Sequence, residues 1–268
     1  MKKFLIFTLA IFLVGIFVSC TMNNDENSVS VGTILVLSSD DDEDAIPTQQ
    51  YKKADNIDEN DTPIGIVAFI GDGTVGEKGV AYIMGLTFKE NLKWAASESA
   101  GLTTNFKEIY CKSSTKSATT ATFEGDTDGS DNYTEIKSVT SAITVETTDG
   151  DDNTTTSPAY PIFNYAESYS IEDINGWYIP TVAELSSLFK NRTVIQEAIK
   201  KLESNGASVP SFTDSTTSTA KTFWTSSIPY DDIGVASLAC AITFNSDGEI
   251  TYKEKSKDHS ALVIHKFE

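Results

Sequence analysis

Residues 176–189 read GWYIPTVAELSSLF, and they hold the clearest helix start in the chain. The start follows Pro180. Thr181 and Glu184 have the spacing of a capping box, in which hydroxyl and carboxylate satisfy each other's backbone N–H groups. Leu185, Leu188 and Phe189 then form a helical apolar stripe. A second helix follows, because Val194, Ile195, Ala198, Ile199 and Leu202 repeat at helical spacing. Gly206 lies just past its end, where a C-terminal cap belongs.

Downstream of these two helices the pattern turns to β. FWTSSI (223–228) and SLACAITF (237–244) are strand-like, and Leu238, Cys240, Ile242 and Phe244 share one face by the two-residue period. Asn245-Ser246-Asp247-Gly248 is a hairpin turn, with Gly248 suited to positive φ. EITYKEK and ALVIHKF complete an expected antiparallel sheet.

Upstream, VGTILVL (31–37) and IGIVAFI (64–70) read as strands, with β-branched residues in short apolar runs. VAYIMGL (80–86) resumes a strand after a glycine-rich turn at 71–79. Residues 38–62 are acidic and read as a loop outside the core. Residues 88–100 suit a short helix that sets Trp94 against the core. Residues 112–135 and 147–158, rich in Ser, Thr, Asp and Gly, read as surface loops. IKSVTSAITV (136–145), between them, suits a helix or a strand equally.

The first twenty residues, MKKFLIFTLAIFLVGIFVSC, have the parts of a bacterial export signal: Lys2 and Lys3, an apolar run from Phe4 to Val18, and small Ser19 before a cysteine. The apolar run is shorter than the ~20 residues that span a bilayer. A cysteine at the cleavage point resembles a lipoprotein signal, which makes Cys20 the lipidated first residue of the mature protein. The expected organisation is a signal peptide over 1–19, a lipidated tether over 20–30 and one domain over 31–268. The expected location is the bacterial cell envelope, with the membrane as partner through Cys20.

The chain carries 20 basic and 39 acidic residues, a net charge of −19, and removal of Lys2 and Lys3 makes it more negative still. Nucleic acid binding needs cationic neutralisation of phosphates and is not expected. Sulfated polysaccharide and anionic lipid are disfavoured for the same reason. Of three cysteines, Cys20 is assigned to lipid. Cys111 and Cys240 are then a possible disulfide, since export permits one and sequence alone does not show whether they meet.

Motifs of chemistry are absent. There is no GxSxG elbow, no HExxH and no P-loop. No catalytic residue and no cofactor is expected, and the protein is read as a non-enzyme. His259 and His265 are the only histidines, read as a loop and a strand residue. Glu124, Asp126, Asp128, Gly129, Ser130, Asn132 and Glu135 fall at the ligand and glycine positions of an EF-hand loop. The first position is Glu, position eight is the polar Asp131, and the upstream flank is a poor helix former. A solvated acidic turn is therefore the expectation, with Asp126, Asp128 and Glu135 as a calcium candidate and no assigned metal. Trp224 and Tyr230 are candidates to stack on a sugar or a protein partner, although Trp224 also suits the core.

Gly176-Trp177-Tyr178-Ile179-Pro180-Thr181, then Glu184-Leu185, then Phe223-Trp224-Thr225-Ser226-Ser227, form an ordered set. The set resembles the bacterial DUF1566 group, related to the C-terminal domain of a collagen-like adhesin. Val31 to Leu35 and Pro63 to Val67 resemble its N-terminal strands, and Asp128-Gly129 through Asn132 and Ile136 resemble its D-G-x-x-N-T-x-x-I stretch. The resemblance implies an α+β, C-type-lectin-like fold: a twisted antiparallel sheet with two helices and long loops. It implies a binding or adhesion protein with a glycan or protein ligand. The loops over 204–237 are the expected binding face, with Tyr230, Asp231, Asp232 and Trp224 as ligand-binding candidates. The alternative is a structural or antigenic surface lipoprotein without a specific ligand.

Overall fold

A computed structural model describes residues 29–39, 47–150, 152–214, 217–229 and 236–267. The signal segment, Cys20, most of the tether, the acidic run Asp40 to Asp44, and Tyr230, Asp231 and Asp232 lie outside the described residues.

The first sheet is antiparallel throughout. It contains β1 (Ile34–Ser38), β2 (Thr48–Lys52), β3 (Asp61–Ile70), β4 (Ala81–Gly85) and the last strand of the chain, β15 (Ile264–Phe267). Their spatial order is β15-β4-β3-β1-β2. The second sheet contains β5 (Lys89–Lys93), β10 (Thr222–Trp224), β12 (Leu238–Thr243), β13 (Glu249–Glu254) and β14 (Asp258–Ala261), in the order β13-β12-β10-β14-β5. A small third sheet joins β6 (Tyr110–Ser113), β7 (Phe123–Gly125) and β11 (Ile228–Pro229), and β8 (Thr144–Thr148) pairs with β9 (Thr154–Pro158) as an exposed hairpin. Four helices complete the fold: α1 (Asn132–Val139), α2 (Pro161–Ser168), α3 (Val182–Lys190) and α4 (Arg192–Ser204).

The inner strands β3, β4 and β12 bury both faces, which is why they read as nearly unbroken apolar runs. In β4, Tyr82 and Met84 face a core shared with α3 and α4, while Ala81 and Ile83 face a second core. In β12, Cys240 and Ile242 face the first core, and Ala239 and Ala241 the second. The second core also takes Ile136 of α1 and Ile162, Phe163 and Ala166 of α2.

The helices α3 and α4 stand where the capping box and the apolar stripes put them. Thr181 Oγ1 accepts the Glu184 N–H at 3.1 Å, and Glu184 Oε2 accepts the Thr181 N–H at 2.8 Å. Gly206 holds φ +88° after α4. Asn245 Oδ1 gathers the N–H groups of Asp247, Gly248 and Glu249 in the β12–β13 turn, and Gly248 sits at φ +65°.

Several expectations are corrected. The resemblance implies two helices, and the described residues hold four α-helices. The segment 88–100 is not helical: β5 is an edge strand, and edge strands tolerate the charges of Lys89, Glu90 and Lys93. Trp94 is nonetheless fully buried, as expected. The 38–62 segment is not only loop, because β2 pairs with β1 and Lys52 bridges Asp61 at 2.7 Å. The supposed loop 112–135 includes ends of β6 and α1 and all of β7, and 147–158 forms most of the hairpin β8–β9. The undecided stretch 136–145 is both: α1 ends at Val139 and β8 begins at Thr144. The C-terminal sheet is mixed, since β14 runs parallel to β10, and β15 leaves it to close the first sheet against β4.

Candidate functional site

Two of the three motif segments meet at one buried carboxyl, and the third is bonded to both of them. Glu184 opens α3 and is 0% exposed. Its Oε2 accepts the Thr181 N–H at 2.8 Å, the Thr181 hydroxyl at 3.0 Å and the Gly129 N–H at 3.1 Å. Tyr178 donates its hydroxyl to Oε1 at 2.9 Å. Burial pushes the Glu184 carboxyl up to about 8, against the pull of the Thr181 N–H and the Tyr178 hydroxyl. Burial also raises Tyr178, helped by the nearby Glu184.

The approach of Gly129 is possible only without a side chain. A Cβ there would lie 2.6 Å from the Ile179 carbonyl oxygen and 3.1 Å from the Thr181 nitrogen. Next along the chain, Asn132 donates its amide to Ser226 Oγ at 2.8 Å, both buried. Ser226 returns a backbone bond to the Pro180 carbonyl, and Ser227 Oγ accepts the Val182 N–H at 3.0 Å. Residues 126–132, 178–184 and 225–227 are thus tied into one knot of buried hydrogen bonds. Such a knot positions loops; most of its polar groups are spent on one another, although Asp126 Oδ2 is buried without a hydrogen-bond partner among the described residues.

The calcium candidate is not assembled. Asp126 Oδ1 accepts the Asp128 N–H at 3.1 Å and Asp128 Oδ1 accepts the Ser130 N–H at 3.0 Å, so these carboxylates shape turns that lead into α1. Glu135 sits in the first turn of that helix. Among the described residues, no group of three or more His, Cys, Asp or Glu side chains is placed to hold a metal ion. Burial pushes Asp126 up to about 6, opposed by hydrogen bonds from the Asn132 side chain and the Asp128 N–H.

Two further candidates are corrected. Trp224 is 0% exposed, with its indole N–H on the Leu92 carbonyl at 2.8 Å, so it is core and not a stacking surface. Cys111 and Cys240 are free buried thiols, and the disulfide that the sequence left open is not formed. Residues 227–229 run between them: Pro229 is in register with Cys111, and the Cys240 N–H donates to the Ser227 carbonyl. Burial pushes Cys111 up to about 12 and raises Cys240 as well.

Lys255, which sequence reading passed over, is 0% exposed. Its Nζ donates to the Gly101 and Thr104 carbonyls at 3.0 Å each and lies 4.7 Å from the Trp94 ring centroid and 5.0 Å from that of Phe106. Burial lowers it to about 7. Nothing in KEKSKDH sets Lys255 apart from Lys253 and Lys257; its pocket is supplied by residues some 150 positions earlier.

A groove opens at the end of the second sheet where residues 236–237 lead into β12. It has a volume of about 710 Å³ and lies among Tyr252, Lys253, Glu254, Lys257, Asp258 and His259, with Leu238 at the start of β12. It adjoins, along the chain, the 230–235 segment that contains Tyr230, Asp231 and Asp232.

The fold and the knot define a mixed α+β domain, mostly sheet, with four α-helices and no barrel among the described residues. No protein-family model, curated protein or solved structure matches the chain. Among the described residues, no helix is long and apolar enough to cross a membrane.

Proposed function

We propose that the chain is a lipid-anchored protein of the bacterial cell envelope. Its C-type-lectin-like domain binds a glycan or protein ligand at the loop end that carries residues 204–237. The observation that carries the anchoring is the segment MKKFLIFTLAIFLVGIFVSC, an export signal that ends on Cys20. Residues 20–30 are the tether, and the domain begins at residue 31.

Two features support the lectin-like reading. The motif segments of the DUF1566 resemblance, distant in sequence, bond to one another, through Glu184 and through Ser226, as signatures of one scaffold would. The first and last strands of the domain, β1 and β15, belong to one antiparallel sheet. A rigid scaffold of this kind leaves recognition to its loops. We assign no catalytic residue, because the buried carboxyl and hydroxyls of the knot are engaged with each other. The same inward turn of the motif residues favours the second reading, a structural or antigenic surface lipoprotein without a specific ligand.

Cell fractionation of Cys20→Ser tests the anchor. The variant is expected in the soluble fraction, and retention in the membrane fraction at the wild-type level defeats the proposal. A combined glycan and protein array tests the binding. A saturable hit supports it, and silence across both halves favours the structural reading.

A further inference from the structure

We infer that Asn175 is a modification site at which the folded chain alters itself: the Gly176 backbone nitrogen closes on the Asn175 side chain, ammonia leaves, and the residue becomes aspartate or isoaspartate. The site lies outside the proposed binding face, and the inference stands apart from the binding reading.

The first argument is the residue pair. The reaction needs a backbone nitrogen that can reach the side-chain amide of the residue before it. Glycine, without a Cβ, leaves that nitrogen least hindered. The chain has two such pairs, Asn175-Gly176 and Asn205-Gly206, and all four residues are exposed. Exposure therefore does not separate them.

The second argument is the backbone, which does. Past the end of α4 the pair is tied down. The Gly206 N–H donates to the Glu203 carbonyl at 3.0 Å, and the Asn205 N–H is shared by the Lys201 and Leu202 carbonyls at 3.1 Å each. Ahead of Trp177 neither the Asn175 N–H nor the Gly176 N–H has a hydrogen-bond partner among the described residues. The Asn175 side chain is held by one exposed bond, from Nδ2 to the Asp173 carbonyl at 2.9 Å. Both flanks are anchored: Ile171 and Ile174 exchange backbone bonds, and buried Trp177 sets its indole N–H on the Ile174 carbonyl at 2.9 Å. The pair is an unbonded link between two fixed points. Gly176 gives up its proton without losing a hydrogen bond, whereas Gly206 must lose one, which slows its site about fivefold.

The chemistry needs only water and base. The Gly176 N–H proton goes to hydroxide, and the nitrogen bonds to Asn175 Cγ. The Cγ–Nδ2 bond breaks, and the departing nitrogen takes a proton from water and leaves as ammonia. Water then opens the cyclic imide. Cleavage at Cγ gives aspartate, and cleavage at the main-chain carbonyl gives isoaspartate, which lengthens the backbone by a carbon. Nothing is oxidised or reduced. Either product adds a carboxylate just ahead of Trp177 and of Tyr178, whose backbone exchanges two bonds with Ile264.

The test holds the full-length chain in detergent at mildly alkaline pH, folded and in urea, and reads both sites by peptide mass spectrometry that separates aspartate from isoaspartate. Both products are expected at position 175 in the folded protein, at a rate that rises with pH. The rate at 175 relative to 205 is expected to be about fivefold higher in the folded chain than in urea, where neighbouring side chains alone set the ratio. A folded ratio at or below the urea ratio overturns the inference. So does an Asn175 that stays intact in the folded protein while it converts in urea. Asn175→Gln, which would need a larger ring, is expected to slow ammonia release from the folded chain, and release at the wild-type rate also overturns the inference.

Discussion

Glutamine at position 184 tests the buried knot directly. Glu184 receives three donors at Oε2 and one at Oε1, and burial holds its carboxyl at about 8, well above the ordinary 4.5. The folded state therefore keeps a proton that the unfolded chain releases above pH 4.5. Where the folded state binds more protons, stability falls as pH rises, by about 1.4 kcal/mol per unit for one proton. The contribution is fully present below 4.5 and lost as pH climbs through 8, a loss on the order of 5 kcal/mol. Glutamine has the shape of the neutral acid. Its oxygen accepts the Thr181 and Gly129 N–H groups, and its amide faces Tyr178 Oη, which turns to accept. Glu184→Gln is thus expected to match wild type near pH 5 and to exceed it increasingly toward pH 8.5. Glu184→Ala instead strands the Thr181 N–H, the Gly129 N–H and the Tyr178 hydroxyl, at a cost of roughly 3 kcal/mol or more at every pH. Urea unfolding followed by tryptophan fluorescence, between pH 5 and 9, measures both. A Glu184→Gln variant that loses ground to wild type as pH rises would mean that the four donors hold the carboxylate ionised, and the reasoning would be wrong.

Gly129→Ala drives a methyl group into the Ile179 carbonyl and the Thr181 nitrogen, so a loss of about 2–4 kcal/mol in thermal or urea unfolding is expected; a change below 0.5 kcal/mol would remove Gly129 from the knot. Lys255, lowered from 10.5 to about 7, is released of its proton in the folded state while the unfolded chain keeps it, so it makes stability rise between pH 7 and 10.5. Lys255→Met should flatten that rise, and an unchanged slope refutes a neutral buried amine. The thiols of Cys111 and Cys240 are buried and raised, so iodoacetamide at pH 8 should label them only after denaturation; fast labelling by mass spectrometry in the native state contradicts their burial.

What was legible in the sequence was what is locally determined. The helices α3 and α4 announce themselves through the Thr181–Glu184 cap and an apolar period that needs no partner to be seen. The Asn245–Gly248 turn is likewise complete within a few residues. The strand β5 was hidden because Lys89, Glu90, Asn91 and Lys93 carry the composition of an exposed helix, and only pairing with β14 makes them a strand. The helix α2, short and led by Pro161, draws its order from packing Ile162 and Phe163 into the second core. At the site, the cap residues were visible, but their third partner, Gly129, is 55 positions away. The spacing of Asp126 to Glu135 matched a calcium loop because both structures need short acidic side chains to turn a backbone. Trp224 could not be sorted from composition alone, since burial is decided by β10 lying between β12 and β14.

The placement of β15 has a consequence for how the chain comes to be folded at all. Ile264 pairs with Met84 and Phe267 with Ala81, so the β4 edge of the first sheet stays open until residues 264–267, some 180 positions later, arrive. Loop closure over such a distance is slow to form, and half-made sheets expose unpaired backbone. Tyr178 adds to the wait, because its backbone exchanges two hydrogen bonds with Ile264. Under the proposed export of this chain, the first sheet gains its β4 edge partner only after residues 264–267 have joined it, so closure of that sheet follows the synthesis and passage of everything between β4 and β15.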